Sequence, residues 1–175
     1  MRTREIYAKL HEFVVTATGF KDEKVIFANQ IAITRPKKPF ITIAVSSFRN
    51  IGLPVEKKVT SDGEMQTLAA MVCNAGFQCF SDITHEAEEI LNELYIKFST
   101  ELQNDIWGGL MAAGRTLKHV SAIPVALNEQ IESRAILELE IGYMKSTNYY
   151  AGVIEEAEIE GIISDQEIRV KKRIL

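Results

Sequence analysis

From Thr3 to Ala17 the apolar residues Ile6, Leu10, Phe13, Val14 and Ala17 fall at i, i+4, i+7, i+8 and i+11. That spacing lays one stripe along a helix. Thr3 reads as its N-cap and Gly19 as its stop. Val25 to Asn29 reads as a short strand. Phe40 to Arg49 (FITIAVSSFR) is dense in β-branched and aromatic residues and predicts a strand. Ahead of it, Arg35-Pro36-Lys37-Lys38-Pro39 cannot be helix interior or central strand, because proline offers no N–H. Pro36 and Pro39 read as rigid gates that keep the strand from wrong partners.

Asn50 to Gly63 holds Gly52, Pro54, Lys57, Lys58 and Asp62-Gly63, and is either a long loop or the tip of an extended hairpin. Glu64 to Phe80 is a second extended segment, in which Asn74 and Gly76 predict a bulge or bend. Helical spacing returns at Ala87, Ile90, Leu91, Leu94, Tyr95, Phe98 and Leu102. It predicts one long helix started by Ser81-Asp82-Ile83-Thr84. Its Glu86, Glu88 and Glu89 sit where the helix dipole favours carboxylates. Trp107-Gly108-Gly109 ends it, Gly108 to Gly114 is expected as a further helical turn, and Thr116 to Ala126 as a short strand or connector.

Ser133 to Tyr143 alternates strictly. Ala135, Leu137, Leu139 and Ile141 take one face; Ile136, Glu138 and Glu140 take the other. Ile154 to Ile162 alternates as well and is expected to be extended. The order helix, strands, helix, strands predicts an α+β fold. Its expected form is a mainly antiparallel sheet with two principal helices packed on one face. One domain is expected over residues 1–164, followed by a basic C-terminal tail over 165–175 that carries Arg169, Lys171, Lys172 and Arg173.

Composition adds exclusions. The chain has 175 residues, 46% hydrophobic and 25% charged, an ordinary globular balance. A net charge of −4 gives no global basic field for nucleic acid. Cys73 and Cys79 fall on one strand face roughly 20 Å apart, too far for a disulfide. Free thiols suit a reducing compartment. The charged N-terminus (MRTREIYAKLHEF) is unlike a signal peptide, and no stretch has the length of a membrane span.

The chemistry of an enzyme is not apparent. His11, His85 and His119 form no HxxxH or HExxH pair. Asp82, His85, Glu86 and Glu89 read as an acidic first helical turn, not as a ligand set. Gly108-Gly109 with Gly114 and Arg115 lacks the lysine and the strand-then-helix context of a phosphate loop. No cofactor and no metal are expected. Three short basic runs remain: Arg35, Lys37 and Lys38; Lys57 and Lys58; and the tail. Solvated faces are their default reading; contacts with a partner are the functional one.

Two stretches occur together in order. The first is Asn29-Gln30, then Arg35 to Ile43 (RPKKPFITI). The second is Glu132-Ser133-Arg134-Ala135, the alternating run to Gly142-Tyr143, and Gly152 to Gly161 (GVIEEAEIEG). Their combination resembles the phage neck or tail terminator family, over about Thr3 to Ile162. The family usually carries an acidic stretch before the Gly-Val-Ile-Glu element; here Ser146 to Ala151 (STNYYA) stands in that place.

The resemblance implies a structural subunit that forms a hexameric ring, caps the tail tube and joins it to the head–tail connector. It would be assembled in host cytoplasm and kept in the virion neck. Its implied partners are further copies of itself, the tail tube protein and the connector or stopper protein. DNA would pass through the lumen without specific binding, and no membrane is involved. On this reading Arg35, Lys37, Lys38, Lys57 and Lys58 are candidate subunit or partner contacts. Glu138 and Glu140 are candidate lumen-facing acids, and the net negative charge suits a channel wall. The alternatives are a head-completion or stopper-type connector protein, and a small-ligand or nucleic-acid-binding α+β domain. A closed ring with an open lumen discriminates against the last of these.

Overall fold

The first stripe is buried in full. Helix α1 spans Thr3–Thr18, and Ile6, Leu10, Phe13, Val14 and Ala17 are all withdrawn from water. Burial of each larger apolar side chain contributes roughly 1.5–3 kcal/mol. The N-cap is Arg2, one residue before the expected Thr3, and the Glu5 carboxylate accepts the Arg2 backbone N–H at 2.8 Å. Gly19 closes the helix at φ 71°, a left-handed conformation that glycine adopts without strain. Its N–H donates to the Val15 carbonyl at 2.9 Å.

The computed structural model describes residues 1–29, 34–58, 64–123, 125–127, 130–150, 156–163 and 166–173. A 3₁₀ turn at Asp22–Lys24 leads into β1 (Val25–Phe27). There follow β2 (Phe40–Asn50), β3 (Val55–Lys58), β4 (Glu64–Ser81), α2 (Glu86–Lys97), α3 (Glu101–Trp107), β5 (Met111–Ala122), β6 (Val125–Leu127), β7 (Gln130–Tyr150), β8 (Glu156–Ile163) and β9 (Gln166–Arg173). One sheet follows the path β1-β2-β4-β7-β5, with β3 paired to β4 and β6 to β7; β8 and β9 form a separate pair. β1 runs parallel to β2, while β2–β4, β3–β4, β5–β7, β6–β7 and β8–β9 are antiparallel. The fold is α+β, as the sequence predicts.

The chain divides into two compact units. The first is Met1–Leu53 with Ala69–Lys145; the second is Pro54–Leu68 with Ser146–Leu175. In the first, Ile41, Ile43, Cys73, Ala75, Phe77, Cys79, Ala135, Leu137, Leu139 and Ile141 form the buried sheet face. α1, α2 and α3 pack on it. An aromatic cluster joins the layers: Phe98 stacks on Phe13 with centroids 4.4 Å apart and lies 5.4 Å from Phe77 and 5.9 Å from Trp107. Both cysteines are free and buried. Burial pushes the Cys73 thiol up to about 11 and the Cys79 thiol up to about 12.

In the second unit β3 pairs with the start of β4, Val55 opposite Leu68 and Lys58 opposite Met65. Tyr149 Oη donates to Glu56 Oε1 at 2.9 Å, and Asn148 Nδ2 to Glu64 Oε1 at 3.1 Å. The segment read as loop or hairpin is thus a hairpin arm; residues 59–63 lie outside the described ones. The residues expected as a basic tail contain β9, so the boundary expected at 164/165 falls between two paired strands.

Four local expectations are corrected. The bend lies in β2, not at Asn74 or Gly76 of β4: register slips between Ser46 and Arg49, and Ser47 sits at φ 56°. The long second helix is two helices, because the chain turns at Phe98, Ser99 and Thr100; three helices therefore cover the sheet where two were expected. Phe98 keeps its buried place at that break. The helix start also moves. Ser81 Oγ accepts the Ile83 N–H at 3.0 Å, His85 takes φ 66°, and α2 begins only at Glu86. Gly108 and Gly109 are both left-handed, which stops α3, and the expected helical turn at 108–114 is the start of β5.

Phe98→Ala should lower unfolding free energy by about 3–5 kcal/mol, since the ring fills the space between three other aromatics. Chemical denaturation read by tryptophan fluorescence checks this. A loss under 1 kcal/mol would mean that the helix break, not the ring cluster, holds the layers.

Candidate functional site

The proline-bounded part of the first stretch and the start of the second also meet in space. The proline-bounded segment 35–39 delivers Phe40 to the first position of β2, directly opposite Phe80 of β4. Their rings stack at 4.8 Å with 11° between planes. β7 brings Glu132 and Arg134 to the same place, on the sheet face away from the helices. The Arg35 guanidinium lies 4.8 Å from the Phe80 centroid and 5.2 Å from that of Phe40; Arg134 lies 5.1 Å from Phe80. Two cations thus rest against one aromatic pair, which the ring quadrupoles favour.

Glu132 is the centre of the charge network. It is only 5% exposed, and a buried carboxylate must find donors. Arg35 Nη2 reaches its two oxygens at 3.2 and 3.1 Å. Lys38 Nζ lies 2.5 Å from Glu132 Oε2 and 2.8 Å from Asp82 Oδ1. Burial by itself pushes the Glu132 carboxyl up, but the Lys38 and Arg35 charges outweigh it and hold it below its ordinary value. The Lys38 ammonium is raised, by its hydrogen bond to Asp82 first and by Glu132 next. Arg134 Nη2 donates to Gln78 Oε1 at 2.6 Å, while its Nε is buried without a partner among the described residues. Beside this network Ile26, Phe27, Ala28, Arg35, Phe40, Thr42, Gln78 and Phe80 line a cleft of about 350 Å³.

The other candidate residues lie elsewhere. Lys37 is exposed on the rim of a neighbouring cleft with Glu23, Lys24 and Arg35. Lys57 and Lys58 are strand residues of β3 in the second unit, opposite Gln66 and Met65. Glu138 and Glu140 occupy the helix-free face of β7, as their alternation requires. Glu140 is ion-paired to Arg49, and Glu138 has no ion pair among the described residues. Of the candidate basic residues, therefore, only Arg35 and Lys38 join the network. The reading of basic runs alone missed Glu132, Arg134, Asp82 and Phe80. The signal was present in the paired occurrence of the two stretches that contain Arg35 and Glu132.

This arrangement holds charges against each other across three separate stretches of the chain. Among the described residues no three His, Cys, Asp or Glu side chains gather as metal ligands, and no helix is long and apolar enough to cross a membrane. The polar chemistry of this region fastens the lead-in of β2 to β7 in an α+β fold. The model of the phage neck terminator protein family matches residues 4–167, and the chain belongs to that family. It is accordingly a structural protein of the phage virion neck. No curated protein matches the chain.

Lys38→Met should cost about 2–3 kcal/mol, because it leaves the buried Glu132 carboxylate with Arg35 alone. The double variant Lys38→Met/Glu132→Met should be less destabilised than the single one, and equal or larger loss in the double would contradict the clamp. The pH dependence has a defined sign. A depressed carboxyl contributes stability above its unfolded value of about 4.3 and loses it as pH falls through the folded value. A raised ammonium contributes below the ordinary lysine value and loses it as pH rises through the folded one. The clamp is complete at neutral pH. Thermal melts should show an acid-side loss below about pH 4.3 in the wild type that is weaker in the double variant.

Proposed function

We propose that this subunit forms a hexameric ring that caps the tail tube and joins it to the head–tail connector, with DNA passing through its lumen. The carrying observation is an exposed apolar surface in the first unit. Ile51 is 50% exposed, Leu53 92%, Leu110 54% and Met144 47%. A neck subunit with such a surface has a reason to bind copies of itself, since apolar patches of this kind mark protein contacts. On this reading Arg35, Lys37, Lys38, Lys57 and Lys58 remain candidate contacts for the neighbouring subunit, the tail tube or the connector. Arg35 and Lys38 would act there mainly by holding the lead-in to β2, since Glu132 and Asp82 already occupy their charges.

The lumen reading rests on the helix-free sheet face. Glu138 has its charge free of an ion pair among the described residues, whereas Glu140 shares its charge with Arg49. A wall of this sign repels phosphate and lets DNA slide. Light scattering and negative-stain images of the purified chain, alone and with isolated tail tubes, test the proposal. A closed ring with an open centre that binds tubes supports it. A monomer that ignores tubes, or a ring that binds only filled heads, overturns it. Rings of Glu138→Lys should retain DNA on a filter at low salt and release it at high salt. Retention at the wild-type level would remove Glu138 from the lumen.

A further inference from the structure

Among the described residues one buried side-chain polar atom lacks a partner, Nε of Arg134. Buried polar groups are almost always paired, so a lone one needs a reason. The Arg134 guanidinium lies over the Phe80 ring, 5.1 Å from its centroid, and Phe80 stacks in turn on Phe40. A guanidinium over a ring keeps its edges for hydrogen bonds. Nε and Nη2 form one such edge, the fork that a carboxylate fills with two parallel bonds. Here the fork is half used. Nη2 donates to a neutral oxygen, Gln78 Oε1, at 2.6 Å, and Nε has no acceptor among the described residues.

The charge of Arg134 is also left over. Three cations gather at this end of the sheet, Arg35, Lys38 and Arg134, and two carboxylates answer them, Glu132 and Asp82. Glu132 takes Arg35 and Lys38, and Asp82 takes Lys38. Arg134 has no ion pair among the described residues; its recorded hydrogen bond goes to an amide. The two side chains that touch its guanidinium, Gln78 and Phe80, both line the cleft of about 350 Å³ that also holds Arg35, Thr42, Ile26 and Phe40. The cleft therefore borders the half-used fork.

We infer that the Arg134 fork receives a carboxylate from a neighbouring protein, which enters along the cleft and displaces the Gln78 amide. The exchange replaces one neutral acceptor by a charged, bidentate one, gives Nε its partner and neutralises the excess cation. Ile26, Phe40 and Phe80 make the cleft walls largely apolar, so the carboxylate comes with an apolar residue beside it. The same walls favour an acidic protein segment over a DNA phosphate. A nucleic-acid backbone would bring a row of like charges up to Glu132 and Asp82, which repel it. All of these residues belong to the first unit, and the inference does not require the ring.

The test uses the full chain and a blocked dipeptide, N-acetyl-phenylalanyl-glutamate amide, with its glutamine analogue as the uncharged control. The Nε–H resonance of Arg134 in nuclear magnetic resonance spectra, assigned with Arg134→Lys, reports occupancy of the fork, and calorimetry reads the affinity. The glutamate peptide should shift that resonance saturably, and the glutamine peptide should leave it in place. Arg134→Lys keeps the charge but loses the fork, and should weaken binding about tenfold. Gln78→Ala removes the competing amide and should tighten binding severalfold, a gain that a merely structural amide would not give. The wild-type titration and Gln78→Ala decide the matter even where Arg134→Lys unfolds the chain. No saturable shift, an equal response to both peptides, or unchanged or weaker binding by Gln78→Ala overturns the inference. So does a short DNA duplex that shifts the resonance at lower concentration than the peptide.

Discussion

The buried carboxylate of Glu132 is the constraint on which the sheet's assembly turns. β7 stands between β4 and β5, and near its start it carries a charge out of water. That charge is tolerable only with cations beside it. Lys38 and Arg35 supply them from a segment 97 positions away in the case of Arg35. Holding those two residues fixes the short proline-bounded lead-in. With the lead-in fixed, Phe40 falls opposite Phe80, and the antiparallel register of β2 on β4 follows from its first pair. A one-residue slip there would move every apolar residue of β2 to the wrong face.

The helical layer depends on a different balance. Three short helices cannot hold themselves by propensity alone, and packing against the sheet stabilises them. The aromatic cluster around Phe98 supplies apolar area, and long polar side chains tie loose backbone ends across it. Lys9 Nζ donates to the Ile106 carbonyl at 2.7 Å, while the Trp107 indole N–H donates to the Lys9 carbonyl at 3.2 Å. Lys97 Nζ donates to the Ala17 carbonyl near the end of α1. The Ile106 and Ala17 carbonyls lie in the last turns of α3 and α1, where intrahelical partners run out. The C-terminal ends of α1 and α3 are thereby tied to neighbouring helices.

The two sides of the sheet in the first unit serve different ends. One is sealed by helices. The other carries Arg35 and Lys38 on Glu132, Arg134 on Gln78 and Glu140 on Arg49, and leaves Glu138 without an ion pair among the described residues. Charges that are already paired offer little net attraction to a polyanion.

The sequence by itself determined most of the element types, the faces of α1 and β7, the free state of both cysteines, and the family. These are matters of period, and period is written locally: Ala135, Leu137, Leu139 and Ile141 are buried because alternation leaves them no other face. The tertiary structure decided where the breaks fall. The spacing from Ala87 to Leu102 is equally good for one helix or two, because Phe98 occupies the core in either case. Asn74 and Gly76 carry the composition of a bend, yet the bulge went to β2, since register is a property of two strands and cannot be read from one. The tertiary structure also decided the site. Arg35, Lys37 and Lys38 look alike in a basic run, and only the position of Glu132 on a distant strand separates the two that are held from the one left to solvent.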